Sequence, residues 1–226
     1  MKNIAIIPAR KNSQRIKNKN IKLFNNEPII FWSIQAAIKS KLFKEIFVST
    51  DSKKIANLSK KYGVNVLYPR QAKLSGSRAT IIDVVKSEIK NLENQNYNFD
   101  NVCCIFPAAP LLKYNYLIKS YQLLKKKKSK GFIFVGNKVE KKILRSFYFK
   151  NEGLTFFKKN YINASTQDLP TPFIDAGQFY WGSKQLWKKS KSVFLKTSNI
   201  FLLDRSKSID IDNISDWKEA KIYANK

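Results

Sequence analysis

The chain has 226 residues, of which 43 are Lys or Arg, 16 are Asp or Glu and none is His, for a formal charge of +27. That length suffices for one α/β domain with a sizeable core, so the whole of 1–226 is expected to form a single unit. No apolar run reaches transmembrane length and the N-terminus reads as a strand without a signal-peptide core, which excludes a membrane span and points to the cytoplasm.

Ile4-Ala5-Ile6-Ile7, closed by Pro8, is short, β-branched and bounded by a breaker, which predicts a buried strand. A polar, basic loop follows, with Arg10, Lys11, Asn12, Ser13, Gln14, Arg15, Lys17, Lys19 and Asn20. A loop leaving a first parallel strand sits at the carboxyl edge of the sheet, where α/β proteins place their ligands. Its cations, and an Asn12 able to adopt the left-handed conformation, can wrap a polyphosphate; a solvated basic loop is the plainer reading of the same residues. The string IPARKNSQRIKNKN resembles the nucleotide-binding signature of the CMP-sialic acid synthetase (acylneuraminate cytidylyltransferase) family, whose usual form is close to IPARGGSKRIPRKN. Arg10, Ser13, Arg15, Lys19 and Asn20 match it, Lys11 and Asn12 replace two glycines, and Gln14 replaces a basic residue.

Pro28 opens a helix to about Ser40, with Ile30, Ile34, Ala37 and Ile38 at a 3.6-residue period. Glu45 to Thr50 is a second strand. Asp51 or Ser52 caps a helix bearing Ile55, Leu58, Ser59 and Tyr62 on one face, unless Asp51 faces the ligand edge instead. Gly63 fits the position after that helix, and Val64 to Tyr68 is a third strand. Strands and helices alternating in this way imply right-handed crossovers and a mostly parallel sheet in a Rossmann-like α/β arrangement, without the GxGxxG dinucleotide fingerprint.

The loop YPRQAKLSGSRAT is similar to a family stretch in which Arg70, Leu74, Ser75 and Thr80 match, while Gln71 stands for Pro and Gly76-Ser77 for acids. The resemblance puts Arg70 in the nucleotide pocket; an exposed loop arginine is the alternative. A helix from about Thr80 to Leu92 turns Ile81, Val84, Val85 and Ile89 inward, and 93–100 is a polar turn. Val102 to Phe106 is a central strand. Its adjacent Cys103 and Cys104 point to opposite faces and so do not bridge, which suits a reducing compartment. The strand ends in Pro107-Ala108-Ala109-Pro110, where small residues let a base or ribose, here against Ala108, lie on the backbone. CCIFPAAPLL is closer to the pseudaminic acid branch of the family than to the sialic acid branch.

Residues 113–128 form an amphipathic helix with Tyr114, Leu117, Ile118, Tyr121 and Leu124 inward, and Gly131 to Gly136 is a buried strand. Arg145 to Phe149 and Leu154 to Phe157, flanking Asn151-Glu152-Gly153, read as a small projecting β-hairpin within an excursion over 138–165. An aromatic hairpin cannot bury its own faces, and the family uses an excursion here to pair subunits, so a homodimer is expected.

Gln167-Asp168-Leu169 matches a family motif, although Ser165 and Thr166 stand where bases often precede it; Lys158 or Lys159 are candidates to meet a substrate carboxylate in their place. DAGQFYWG, residues 175–182, resembles pseudaminic acid cytidylyltransferases, and the resemblance assigns Asp175, Gln178 and Gln167 to the acidic nine-carbon sugar. Taken alone, the aromatics could be core and Gln178 a strand residue. Asn199 to Leu203 and Ser208 to Asp212 are further strands, before a helix begun by Asn213 or Ser215 and holding Trp217, Ala220 and Tyr223. On a strand, Asp210 and Asp212 face the same side, where two carboxylates repel unless a cation lies between them; hard oxygens beside a triphosphate suit Mg²⁺. The pair could equally cap the following helix. IDIDNISDW is also similar to the family's metal-binding segment.

Together these motifs imply a nucleotidyltransferase fold and transfer of CMP from CTP to the anomeric hydroxyl of a nonulosonic acid, with pseudaminic acid favoured over sialic or legionaminic acid. The resemblance makes Arg10, Lys19, Asp210 and Asp212 catalytic and assigns Ser13, Arg15, Asn20, Arg70 and Ala108 to the nucleotide. The rival from another class is a non-catalytic polyanion-binding protein on the same fold, suggested by the charge. Against it, Lys53-Lys54, Lys60-Lys61 and Lys125 to Lys128 sit on polar helix faces or a helix end, and no nucleic-acid-binding motif stands out, so nucleic acid is not an expected partner.

Overall fold

A computed structural model describes residues 2–76, 78–126, 130–151 and 153–225. β1 (Asn3–Pro8) leads through the basic loop and a short ribbon, β2 (Leu23–Phe24) with β3 (Glu27–Pro28), into α1 (Ile29–Ser40). Then come β4 (Glu45–Ser49), α2 (Lys53–Lys61), β5 (Asn65–Leu67), α3 (Ile81–Asn94), β6 (Asn101–Ile105), α4 (Tyr114–Lys126) and β7 (Ile133–Lys138). The hairpin β8 (Phe147–Lys150) and β9 (Gly153–Phe156) precedes β10 (Phe173–Ser183), α5 (Lys184–Lys189), β11 (Asn199–Leu202) and α6 (Ile214–Ala224).

Seven strands form one sheet in the order β11-β7-β10-β6-β1-β4-β5. β1 pairs in parallel with both β4 and β6, as do β4 with β5 and β7 with β11, whereas β10 is antiparallel to β6 and β7. The mostly parallel Rossmann-like sheet is therefore present, with β10, which carries DAGQFYWG, reversed in its middle.

The period-2 pattern of β1 divides the core. Ala5 and Ile7 join a cluster with Ile30, Ile34, Leu117 and Trp181, whereas Ile4 and Ile6 join Phe47, Val85, Ile89 and Trp187 on the other face. Cys103 and Cys104 split the same way and are free and buried. Burying each isoleucine of β1 is worth roughly 1.5–3 kcal/mol. A third cluster, Ile16, Phe24, Ile29, Ala108, Leu111, Ile209, Ile211, Trp217 and Ala220, clamps the basic loop, the Pro107–Pro110 turn and α6 together.

Several local expectations shift. Ser208 to Asp212 is not a strand: it is an extended segment outside the sheet, with Ile209 and Ile211 buried in the third cluster. On α4, Tyr116 and not Tyr114 turns inward, since Tyr116, Leu117, Ser120, Tyr121 and Leu124 make the buried stripe and Tyr114 stays exposed. The left-handed residue of the basic loop is Asn18, at φ 55°, and Asn12 does not have a positive φ. Ser52 caps α2 by accepting from the Ile55 amide, and Gly63, at φ 77°, follows that helix as expected. Ser77, Glu152 of the hairpin turn, and Lys127 and Lys128 at the expected end of the 113–128 helix lie outside the described residues.

Candidate functional site

At the carboxyl ends of β1 and β6 lies a cleft of about 540 Å³. One wall is the basic loop, with Arg10, Ser13, Gln14, Arg15, Ile16, Lys19 and Asn20. Arg70 and Gly76 come from the loop after β5, and Phe106, Pro107 and Ala108 from the turn after β6. Gly177, Asp210 and Asp212 close the far side. Loops leaving the parallel strands β1, β5 and β6 thus meet the bulged strand β10 and the segment before α6 across one cleft.

The loop is held in shape by its own polar groups and by β4. The Lys11 amide donates to Asp51 Oδ1 at 2.6 Å, so Asp51 neither caps α2 nor lines the cleft but anchors the loop. Buried Asn20 donates its Nδ2 to the Arg10 carbonyl at 2.9 Å, while its Oδ1 has no protein partner in the structure. Ile16 pins the loop into the third core cluster, and Lys19 Nζ donates to the carbonyl of that cluster's Ile211 at 2.6 Å.

Alternation without a strand explains the acid pair. Ile209 and Ile211 point into the cluster, leaving Asp210 and Asp212 on the cleft side. Asn213, and neither aspartate, caps α6, in a reciprocal box with Asp216, which removes helix capping as the reason for the pair. Arg15 Nη2 meets Asp212 Oδ1 at 2.6 Å in an exposed ion pair of modest worth. Asp210 opens into the cleft yet is surrounded closely enough that burial, first, and the neighbouring Asp212 charge, second, push its carboxyl up to about 6, against the pull of Lys19. Burial likewise lowers the Lys19 ammonium, with Asp210 and Asp212 opposing. Among the described residues no group of three or more His, Cys, Asp or Glu assembles a complete metal cage. Asp210 and Asp212 are two crowded carboxylates beside a basic cleft, and theirs are the hard oxygens there that could contribute to a divalent-cation site.

Behind the pair stands a bulge in β10. Its register against β7 breaks between Asp175 and Tyr180, and Gly177 within the break has φ 56°. Asp175 accepts from the Gly177 amide at 3.3 Å and from the Tyr180 hydroxyl, and burial raises its carboxyl. Asp175 therefore sits beside the cleft, not among its lining residues.

Two residues expected at the acceptor sugar stand elsewhere. Gln178 is wholly enclosed: Nε2 reaches the Lys207 carbonyl at 3.5 Å, and Oε1 has no protein partner in the structure, because the bulge turns this side chain toward the segment before Ser208. Gln167 is exposed at the base of the hairpin excursion, its carbonyl taken by Lys141 Nζ at 2.8 Å, and it does not line the cleft. Lys158 and Lys159 are exposed there too and are also absent from the lining. Glu88, which the sequence reading passed over, is buried behind Arg70. Its signal was available: a carboxylate on the apolar face of α3, four residues after Val84.

Comparison with known proteins gives the family and the fold. A family model described as cytidylyltransferase matches residues 4–225. The chain is 37% identical over 223 residues to a pseudaminic acid cytidylyltransferase of Campylobacter jejuni, covering 98% of this chain and 96% of the relative. It is 26% identical over 220 residues to an N-acylneuraminate cytidylyltransferase of Escherichia coli, covering 96% of this chain and 51% of the relative. Among solved structures, CMP:2-keto-3-deoxy-manno-octonic acid synthetase complexed with CTP shares the fold, with a TM-score of 0.73, 11% identity and 98% of each chain covered.

Proposed function

From the premise that this chain belongs to the cytidylyltransferase family, we propose that it transfers CMP from CTP to the anomeric hydroxyl of pseudaminic acid, releasing pyrophosphate. The observation that carries the reading is the meeting, across one cleft, of Arg10 and Lys19 with Asp210 and Asp212. The acceptor follows the 37% identity over nearly the full chain to pseudaminic acid cytidylyltransferase.

The reaction needs charge neutralisation and in-line positioning more than a strong base. Arg10 and Lys19 hold the β- and γ-phosphates as they leave. Ser13, Arg15, Asn20 and Arg70 complete the nucleotide pocket. Ala108, lacking bulk, lets the base or ribose approach the turn. Asp210 and Asp212 would hold Mg²⁺, which when bound supplies charge neutralisation at the phosphate oxygens and acidifies a coordinated hydroxyl. Asp175, tied to Tyr180 and beside Gly177, stands next to this cleft as a candidate contact for the sugar.

The excursion supports a homodimer. Phe147, Phe149, Leu154 and Phe157 of the hairpin are exposed, and a two-stranded sheet with apolar side chains left in water is stabilised by a second copy covering it. No helix among the described residues is long and apolar enough to cross a membrane, and the free thiols Cys103 and Cys104 suit a reducing cytoplasm.

The test is pyrophosphate release from CTP and Mg²⁺ with pseudaminic acid and N-acetylneuraminic acid offered in parallel. Release with pseudaminic acid alone is the expected result. Release mainly with N-acetylneuraminic acid overturns the acceptor and keeps the reaction, and release with neither overturns both.

A further inference from the structure

The buried face of α3 carries one carboxylate among its aliphatic side chains. Glu88 lies between Val84 and Val85 on one side and Ile89 and Leu92 on the other, with 4% of its surface exposed. Its Oε1 accepts the Ser49 hydroxyl proton at 2.5 Å. The same Ser49 oxygen accepts from Arg70 Nε at 2.9 Å, and Arg70 Nη2 donates to the Ser49 carbonyl, which also takes the Ala9 amide at 2.8 Å. Since a hydroxyl has one proton to give, giving it to Glu88 leaves the lone pairs for Arg70. The chain therefore runs one way, from guanidinium through hydroxyl to carboxylate.

Fold stability does not call for this arrangement. A buried ion pair is often no more stabilising than apolar residues of the same volume, and Leu or Met at position 88 would continue the core that Val85, Ile89 and Leu92 already form. Arg70 is what needs the carboxylate. It is buried, burial works against its charge, and Glu88 is the strongest favourable charge upon it, ahead of Asp51. Arg70 is also anchored by its own amide to the Thr50 carbonyl at 2.8 Å, and it lines the cleft.

We infer that Glu88, acting through Ser49, is a positioning residue that holds the Arg70 guanidinium aimed at the wall of the nucleotide cleft. The inference rests on the CTP reading of that cleft. Glu88 touches no substrate, so its role appears in nucleotide affinity and not in the chemical step.

Glu88→Gln keeps the volume and an acceptor for Ser49 but removes the charge; Ser49→Ala keeps both charges and breaks the link between them. Each is expected to raise KM for CTP about tenfold with kcat within about twofold, the mark of lost uniform binding. Arg70→Gln is the reference, and adding Glu88→Gln to it should change KM by less than about twofold, because the two act as one unit. A Glu88→Gln protein that melts earlier with an unchanged KM overturns the inference, as does an effect that adds in full to that of Arg70→Gln. Ser49→Ala provides the same reading if Glu88→Gln does not fold. Calorimetric CTP binding to the unaltered protein separates the two levels. No binding overturns the cleft reading and this inference with it, whereas equal binding by the unaltered and Glu88→Gln proteins overturns the positioning role alone.

Discussion

Gly177 and Asp210 are packed so closely that a Cβ built on Gly177 would stand 2.6 Å from Asp210 Cγ and 2.7 Å from its Oδ2. The bulge of β10 also holds Gly177 at φ 56°, where a side chain costs roughly 1–2 kcal/mol. Gly177→Ala is therefore expected to displace the Asp210 carboxylate, the group that a new Cβ would meet first. Turnover should fall about 100-fold, the scale expected for an ångström of misplacement, while the melting temperature drops only a few degrees. Turnover within twofold of the unaltered enzyme would show that the contact does not set the position of Asp210.

Removing the Asp210 charge should separate function from stability. Burial and Asp212 raise its folded pKa to about 6, above the usual 3.8 of the unfolded chain. For a carboxyl raised on folding, the folded state binds more protons between those values, so without metal its ionised form destabilises the fold above pH 6 and that loss is recovered as pH falls toward 4. Asp210→Asn should melt about 2 °C or more higher than the unaltered protein at pH 7.5 without Mg²⁺, lose most of that advantage at pH 4.5, and have no Mg²⁺-dependent turnover. Near-normal turnover would refute the metal assignment, and a lower melting temperature at pH 7.5 would refute the electrostatic one.

Much of this cleft is legible in the chain itself. The run Ile4 to Pro8 is bounded and apolar enough to name its own strand, and the loop after a first parallel strand must reach the ligand edge, where Arg10, Ser13, Arg15, Lys19 and Asn20 line one cleft. A strand over 208–212 puts Asp210 and Asp212 on one face. The segment is not one, but burial of Ile209 and Ile211 imposes the same period of two. Where the reading failed, long-range packing decides. Nothing local tells that the bulge of β10 encloses Gln178 and leaves Gly177 facing the cleft, because the bulge exists only as a register shift against β7. Tyr114 and Tyr116 are both plausible at the start of α4 until the helix is docked. Glu88 was visible as an acid on an apolar stripe, yet its partner Ser49 lies 39 residues away on another strand.

The hairpin offers a test independent of the chemistry. Phe149 is 76% exposed and Phe157 65%, on an element anchored to the rest of the chain through Arg145 to Thr166 and Lys141 to the Gln167 carbonyl. Phe149→Asp leaves the folded subunit without a new buried charge, but puts one into any interface formed there. Light scattering at micromolar concentration should report a dimer for the unaltered protein and a monomer for Phe149→Asp, with the melting temperature within a few degrees in the monomer's favourable case. A monomer from the outset would sink the dimer proposal.

Lys19 joins the two sides of the cleft and so carries the sharpest catalytic expectation. Its ammonium donates to the Ile211 carbonyl at 2.6 Å, between two aspartates whose charge opposes the cost of its burial. In the proposed reaction negative charge develops on the departing β- and γ-phosphates, which Lys19 and Arg10 of the cleft wall would hold, so their contribution would grow in the transition state. Lys19→Met preserves the stem and its packing while removing the charge. It should lower kcat by about 10²–10³-fold, more than it raises KM for CTP. Arg15→Met makes the control: its ion pair with Asp212 is exposed, and losing it should change kcat by less than about tenfold. Equal losses in the two variants would mean that the cleft reads total positive charge, and that the link from Lys19 to Ile211 has no special place in the reaction.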